Sequence, residues 1–255
     1  MKSVGYVALN TFRETVRDKV LYNLLLFALL MISSSYVLGK ISVYQEIKII
    51  KDLGLASISI FGMVIAIFIG IGLVSKEIDK RTLYSLLSKP VSRAQFLAGK
   101  YCGLCLTLLV NVLIMTIGLY GVLFAMREPF EPALMTAIFL IYMKLCVLVA
   151  VAILFSTFTT SILAGLFTGF VYVAGYFSSD LKNFDTIVES GVLPALTTVL
   201  YYVLPNFRNF DVKAPVVAGH AVPMSQVGWA TLYALLYVSL VLVVSIWVFQ
   251  KRNLK

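Results

Sequence analysis

The sequence predicts an all-α membrane protein with six transmembrane helices, an N-terminal interfacial amphipathic helix and a re-entrant or surface-lying hairpin before the last span. Three observations carry this expectation. Of 255 residues, 60% are hydrophobic and only 13% charged, against roughly 25% charged in soluble domains. Runs free of Asp, Glu, Lys and Arg extend over Val20–Gly39, Leu53–Ser75, Tyr101–Met126, Leu145–Ser179 and Ala214–Gln250, and each reaches the ~20 residues that cross ~30 Å of hydrocarbon. The basic residues also gather on alternate connections, which is how membrane proteins set their orientation.

Residues 1–19 come first. Val4, Ala8, Phe12, Val16 and Val20 recur at near-helical spacing among Lys2, Arg13, Glu14, Arg17 and Asp18, a pattern for a helix lying in the membrane interface or for a slightly apolar lead-in to the first span. No cleavable targeting segment stands out, because charges are mixed through these residues and the apolar run behind them is long enough to span. The first three spans are expected at about 20–38, 53–75 and 101–124. The 35-residue run from Leu145 to Ser179 is too long for one tilted helix. It is divided at the hydroxyl-rich stretch Ser156, Thr157, Thr159, Thr160 and Ser161, giving spans at 133–155 and 161–179. Pro215 and Pro223 leave the last span at 226–249. The stretch Ser190–Phe207 is also charge-free, but Pro194 and Pro205 interrupt it, so it is expected to be the hairpin within an external loop at 180–225. The whole chain reads as a single transmembrane domain, 1–255.

Thirteen basic residues lie before the first span, between the second and third, and after the sixth; seven lie in the opposite connections, and Lys144 falls inside a span. Both termini and the loop 76–100 are therefore expected in the cytoplasm. The formal charge of +9 is accounted for by that bias, and no nucleic-acid partner is expected.

The loop Ser75–Lys100 is the most informative segment. Leu83, Leu86 and Leu87 form an i, i+3, i+4 apolar face, Lys89 and Pro90 end that short helix, and Ser92 with Gln95 forms a capping box for the next. A leucine face on a charged scaffold suits docking into a groove of a cytosolic protein, and its basic residues suit anionic headgroups equally well.

Glu77, Thr82, Leu83, Leu86 and Leu87, then PVSR at Pro90–Arg93, then Gly99 and Lys100 resemble the first cytoplasmic loop of ABC-2 type transporter permeases. Arg81 stands where many members carry glycine. The resemblance implies a membrane-spanning subunit of an ATP-driven transporter, an exporter of the prokaryotic cytoplasmic (inner) membrane, paired with a second permease copy or similar subunit and with ABC ATPase subunits. It gives Glu77, Asp79, Arg81, Leu83, Leu86, Leu87, Pro90 and Arg93 the ATPase contact, with Arg93 and Lys100 fixing the segment at the membrane surface. No G-x-x-x-x-G-K-[ST] occurs, so ATP and magnesium are expected on the partner and no cofactor on this chain. A stand-alone carrier or channel is the main competing class, and an intramembrane enzyme the third.

Other features divide between roles. Ser161, Gly165 and Gly169 form a small-residue stripe for a dimer contact or for packing within the chain. Lys144 either lines a substrate path and attracts an anionic group, or is a structural lysine bonded to hydroxyls such as those of Thr116 or Tyr142. Cys102 and Cys105 form C-x-x-C, read as small apolar helix residues and not as a metal site. His220, the one histidine, supports neither a catalytic triad nor a metal cage, and no catalytic residue is assigned.

Overall fold

The structure is a computed structural model. It describes residues 2–41, 45–79, 92–184 and 201–251, with side chains over 4–41, 45–71, 92–178 and 201–251. Among these residues there is no strand. The elements are α1 (Lys2–Val16), α2 (Lys19–Ile41), α3 (Glu46–Asp79), α4 (Arg93–Ala125), α5 (Pro132–Phe158), α6 (Ser161–Phe184), a 3-10 turn (Phe207–Phe210), α7 (Lys213–Val217) and α8 (Met224–Lys251). Six of them, α2 to α6 and α8, are long and apolar enough to cross a bilayer.

Burial sorts these six. In its most apolar stretch α5 is 72% buried, whereas α2, α6 and α8 are 28%, 22% and 28% buried. The central helix therefore needs a side chain that packs on every face, and α5 supplies an unbroken buried run from Lys144 to Ile153. Against it lie α3, α4, α6 and α8, while α2 covers α3 and α4. The outer helices turn Leu30, Phe170, Leu236 and Trp247 outward, as surfaces bathed in lipid do.

Helices α3 and α5 approach closely because α3 carries glycine at the crossing. A Cβ on Gly70 would sit 2.5 Å from the Ala152 Cβ, and one on Gly62 would sit 2.6 Å from Leu145 Cδ1. Small residues at such contacts let backbones meet where lipid supplies no hydrophobic drive between helices.

The long apolar run beginning at Leu145 breaks at Thr159 and Thr160. Thr157 Oγ1 donates to the Leu154 carbonyl at 2.7 Å, and Thr159 Oγ1 donates to Phe155 O at 2.7 Å. Such back-bonding competes with the regular backbone ladder at the helix end, where the Thr159 amide also donates to the Phe155 carbonyl. At the other end of α5, helix α4 closes in a Schellman turn. Arg127 adopts φ 60°, and the Glu128 and Arg127 amides donate to the Leu123 and Phe124 carbonyls.

The helices outrun the charge-free stretches. Lys48 and Lys51, read from sequence as part of a connection, lie in the first turns of α3, where Lys51 pairs with Glu131 at the start of α5. Arg93 and Lys100 lie in the first two turns of α4. With 33 residues, α4 is roughly 50 Å long at 1.5 Å per residue, well beyond the hydrocarbon thickness. Its excess lies at the end that receives the 80–91 connection.

Candidate functional site

Three features converge on that end of the bundle. The first is the start of α4. Ser92 Oγ accepts from the Gln95 amide and Gln95 Oε1 accepts from the Ser92 amide, both at 3.2 Å, so the capping box expected from the sequence is present. Arg93, the first helical residue, donates through Nη1 to the carbonyls of Phe249 and Gln250, each at 3.0 Å. Its guanidinium also lies 5.8 Å from the Phe249 ring centroid, and Phe96 stacks on that ring at 6.4 Å. A cation thus meets the negative end of the α8 dipole. The start of α4 is thereby tied to the last residues of the last span.

The second feature is the seam between α1 and α4. A Cβ on Gly103 would sit 2.6 Å from the Ala8 carbonyl oxygen, and one on Gly99 would sit 2.7 Å from Val7 Cβ. These two glycines form a G-x-x-x-G on which α1 lies in close backbone contact. The α1 face that meets them carries Val7, Ala8 and Thr11, and Thr11 and Thr15 are buried. Helix α1 is held by protein, and its outward face shows Tyr6 and Leu9. Lys100, between the two glycines, is only 2% exposed, with its ammonium 5.4 Å from the Phe96 ring.

The third is a half-open cleft of about 220 Å³ between α2, α3 and α6, lined by Leu21, Leu24, Phe68 and Ile69, with Asp18 and Ser161 as its polar members. It lies at the same end, since α2 begins, α3 finishes and α6 begins there.

Of the residues assigned to ATPase contact by resemblance, Arg93 is placed as described. The backbones of Glu77 and Asp79 continue α3. Arg81, Leu83, Leu86, Leu87 and Pro90 lie outside the described residues.

Lys144 occupies the middle of α5 and is 1% exposed. Its ammonium donates to Ser59 Oγ on α3 at 2.7 Å and to the Tyr176 hydroxyl on α6 at 2.8 Å. It lies 5.6 and 5.4 Å from the Tyr172 and Tyr176 rings. The expected hydroxyl partners differ from the observed ones. Thr116 Oγ1 bonds its own helix at Val112 O, and the Tyr142 hydroxyl donates to the Cys105 carbonyl. Lys144 points toward α3 and α6, away from α4.

The segment after residue 200 closes over this cluster. Phe207, fully buried, lies 5.4 Å from the Tyr172 ring and 6.2 Å from the Tyr176 ring. Gly175 makes room for it, since a Cβ there would sit 2.5 Å from the Pro205 carbonyl oxygen. The Asn206 amide donates to the Tyr233 hydroxyl and the Tyr237 hydroxyl donates to Val203 O, so α6 and α8 both hold the segment. The first part of the expected hairpin, up to residue 200, lies outside the described residues.

On α6 the small-residue stripe divides. A Cβ on Gly165 would sit 3.2 Å from Ile71 Cδ1, so that residue packs within the chain, whereas Gly169 faces open space. Ser161 borders the cleft. The buried face of α6 is carried instead by Ala164, Thr168 and Ser178.

Six long apolar helices, one of them buried at the centre, define a multi-pass helical membrane protein. Residues 6–254 match the family described as ABC-2 family transporter protein, and the chain belongs to that family. It is accordingly a membrane-spanning permease subunit of an ABC transporter, in a family that generally works with separate ABC ATPase subunits. None of the curated proteins compared with the chain matches it.

Proposed function

We propose that this permease is an exporter of the cytoplasmic membrane, with both termini and the 76–100 connection inside the cell, driven through that connection by ABC ATPase subunits that carry the ATP and magnesium. The observation that carries this reading is the Arg93 bridge. Nη1 of Arg93 bonds the last carbonyls of α8, so a push on the connection reaches the sixth span as well as α3 and α4. The buried seam between α1 and α4 stiffens the same region. The excess of Lys and Arg at this end supports its cytoplasmic placement.

A second permease copy or similar subunit completes the path. The open face at Gly169, beside the outward Leu166 and Phe170, leaves room for close approach of another helix. Lys144 is assigned a structural role, joining α3, α5 and α6, because both of its hydrogen-bond partners and its aromatic neighbours seal it inside one chain.

The test is Arg93→Ala in the complex assembled with its ATPase subunit. Association of the subunits is expected to persist while transport per ATP hydrolysed falls by about tenfold, the equivalent of one charge-assisted hydrogen bond of ~1.5 kcal/mol. Unchanged coupling in this variant contradicts the role given to the bridge.

A further inference from the structure

The seam with α4 fixes which way α1 faces. Val7, Ala8 and Thr11 lie against Gly99 and Gly103, so Tyr6, Leu9, Arg13 and Arg17, which recur three or four positions apart, share the opposite stripe. All four are exposed. Arg17 prolongs the last turn of α1, since its amide donates to the Glu14 carbonyl at 3.2 Å. Neither guanidinium is in an ion pair among the described residues. Glu14 is the one acid of α1, and the next, Asp18, accepts from the Val20 amide at 3.0 Å at the start of α2. Arg13, Arg17 and the exposed Lys19 therefore leave this face with an excess of positive charge, and two like charges one helical turn apart repel unless an anion joins them.

The stripe lies at the level of lipid headgroups. Trp229 and Trp247 both face outward from α8. Eighteen positions separate them, roughly 27 Å along a helix, which is the separation of the aromatic belts at the two surfaces of a bilayer. Phe249, just beyond Trp247, stacks on Phe96, and Gly99 and Gly103 follow Phe96 within two turns. The part of α4 that carries α1 is thus at the depth of the headgroup layer.

We propose that Arg13 and Arg17 hold the phosphate of an anionic phospholipid, with Tyr6 and Leu9 embedded beside it. Guanidiniums present forks of donors that match phosphate oxygens, and one turn of helix brings two of them within reach of a single phosphate. A zwitterionic lipid offers the same phosphate, but its own cation then sits among Arg13, Arg17 and Lys19, so a headgroup of net negative charge is selected. A lipid held there braces α1, whose other face is committed to α4, against the bilayer. Only the choice of leaflet, the inner one, rests on the orientation proposed above.

The test titrates the full-length chain in detergent with phosphatidylglycerol and, separately, with phosphatidylcholine and phosphatidylethanolamine, and counts bound lipid by native mass spectrometry. The unmodified chain is expected to bind phosphatidylglycerol in preference to both others. Arg13→Gln with Arg17→Gln is expected to weaken that binding by roughly thirtyfold, a factor of about five for each cation near a lipid surface. Arg13→Lys with Arg17→Lys keeps both charges and should retain most of it. Equal binding of the three lipids overturns the proposal, and so does a preference that survives the glutamine pair. Loss of the ATPase subunit from the assembled complex in the glutamine pair, with lipid binding unchanged, would make this face a protein contact and overturn it as well. Binding in detergent depends on neither membrane orientation nor ATP, so its failure leaves the transport reading standing.

Discussion

Replacing Leu86 and Leu87 together by aspartate is expected to reduce substrate-stimulated ATP hydrolysis in the assembled complex to the unstimulated rate. Each leucine that enters a groove contributes about 1.5–3 kcal/mol by burial, so losing two weakens docking by roughly two to four powers of ten. Two carboxylates facing an apolar groove add a desolvation cost in the same direction. Hydrolysis is measured with and without substrate in reconstituted vesicles. Stimulation that survives the double substitution removes the docking role of the leucine face, whatever the fate of transport.

The second large effect is expected at Lys144, where two substitutions separate packing from chemistry. Lys144→Ala removes a fully buried stem from the contact of α3, α5 and α6 and is expected to cost about 2–5 kcal/mol, the range for large-to-small changes in packed interiors. Lys144→Met keeps most of the volume and forfeits the bonds to Ser59 and Tyr176. Such bonds between membrane helices average about 0.6 kcal/mol each, so the methionine variant should unfold slightly earlier on heating in detergent and retain transport. Transport lost from Lys144→Met at an unchanged unfolding temperature would instead give the ammonium a place in the substrate path.

The six long helices were legible in the sequence because hydrocarbon leaves a compositional mark: a chain that crosses lipid must drop its charges for about twenty residues. That mark locates the hydrocarbon and not the helix. Lys51, Arg93 and Lys100 are helical, and the sequence reading placed all three in connections or at their edges. The capping box at Ser92 and Gln95 was legible because its chemistry is local, a hydroxyl and an amide three residues apart.

Contacts between helices were far less legible. The stripe at Ser161, Gly165 and Gly169 stands out in the sequence, yet closer small-residue contacts are those of Gly54 against Leu119 on α4, Gly62 and Gly70 against α5, and Gly99 and Gly103 against α1. All these stripes look alike in sequence, and only the identity of the neighbour tells them apart. Lys144 was recognisable as a charge that must face protein, since lipid penalises it. Its partners were not, because Ser59 and Tyr176 lie on other helices at distances the sequence does not encode.

The central claim is that the 76–100 connection faces the compartment that holds the ATPase. Ser85→Cys, in a chain whose native cysteines are replaced by serine, tests it when intact cells are exposed to a membrane-impermeant maleimide. The account predicts labelling only after the membrane is permeabilised. Labelling of intact cells would put the connection on the outer side of the bilayer, beyond reach of any cytosolic ATPase, and would contradict the account.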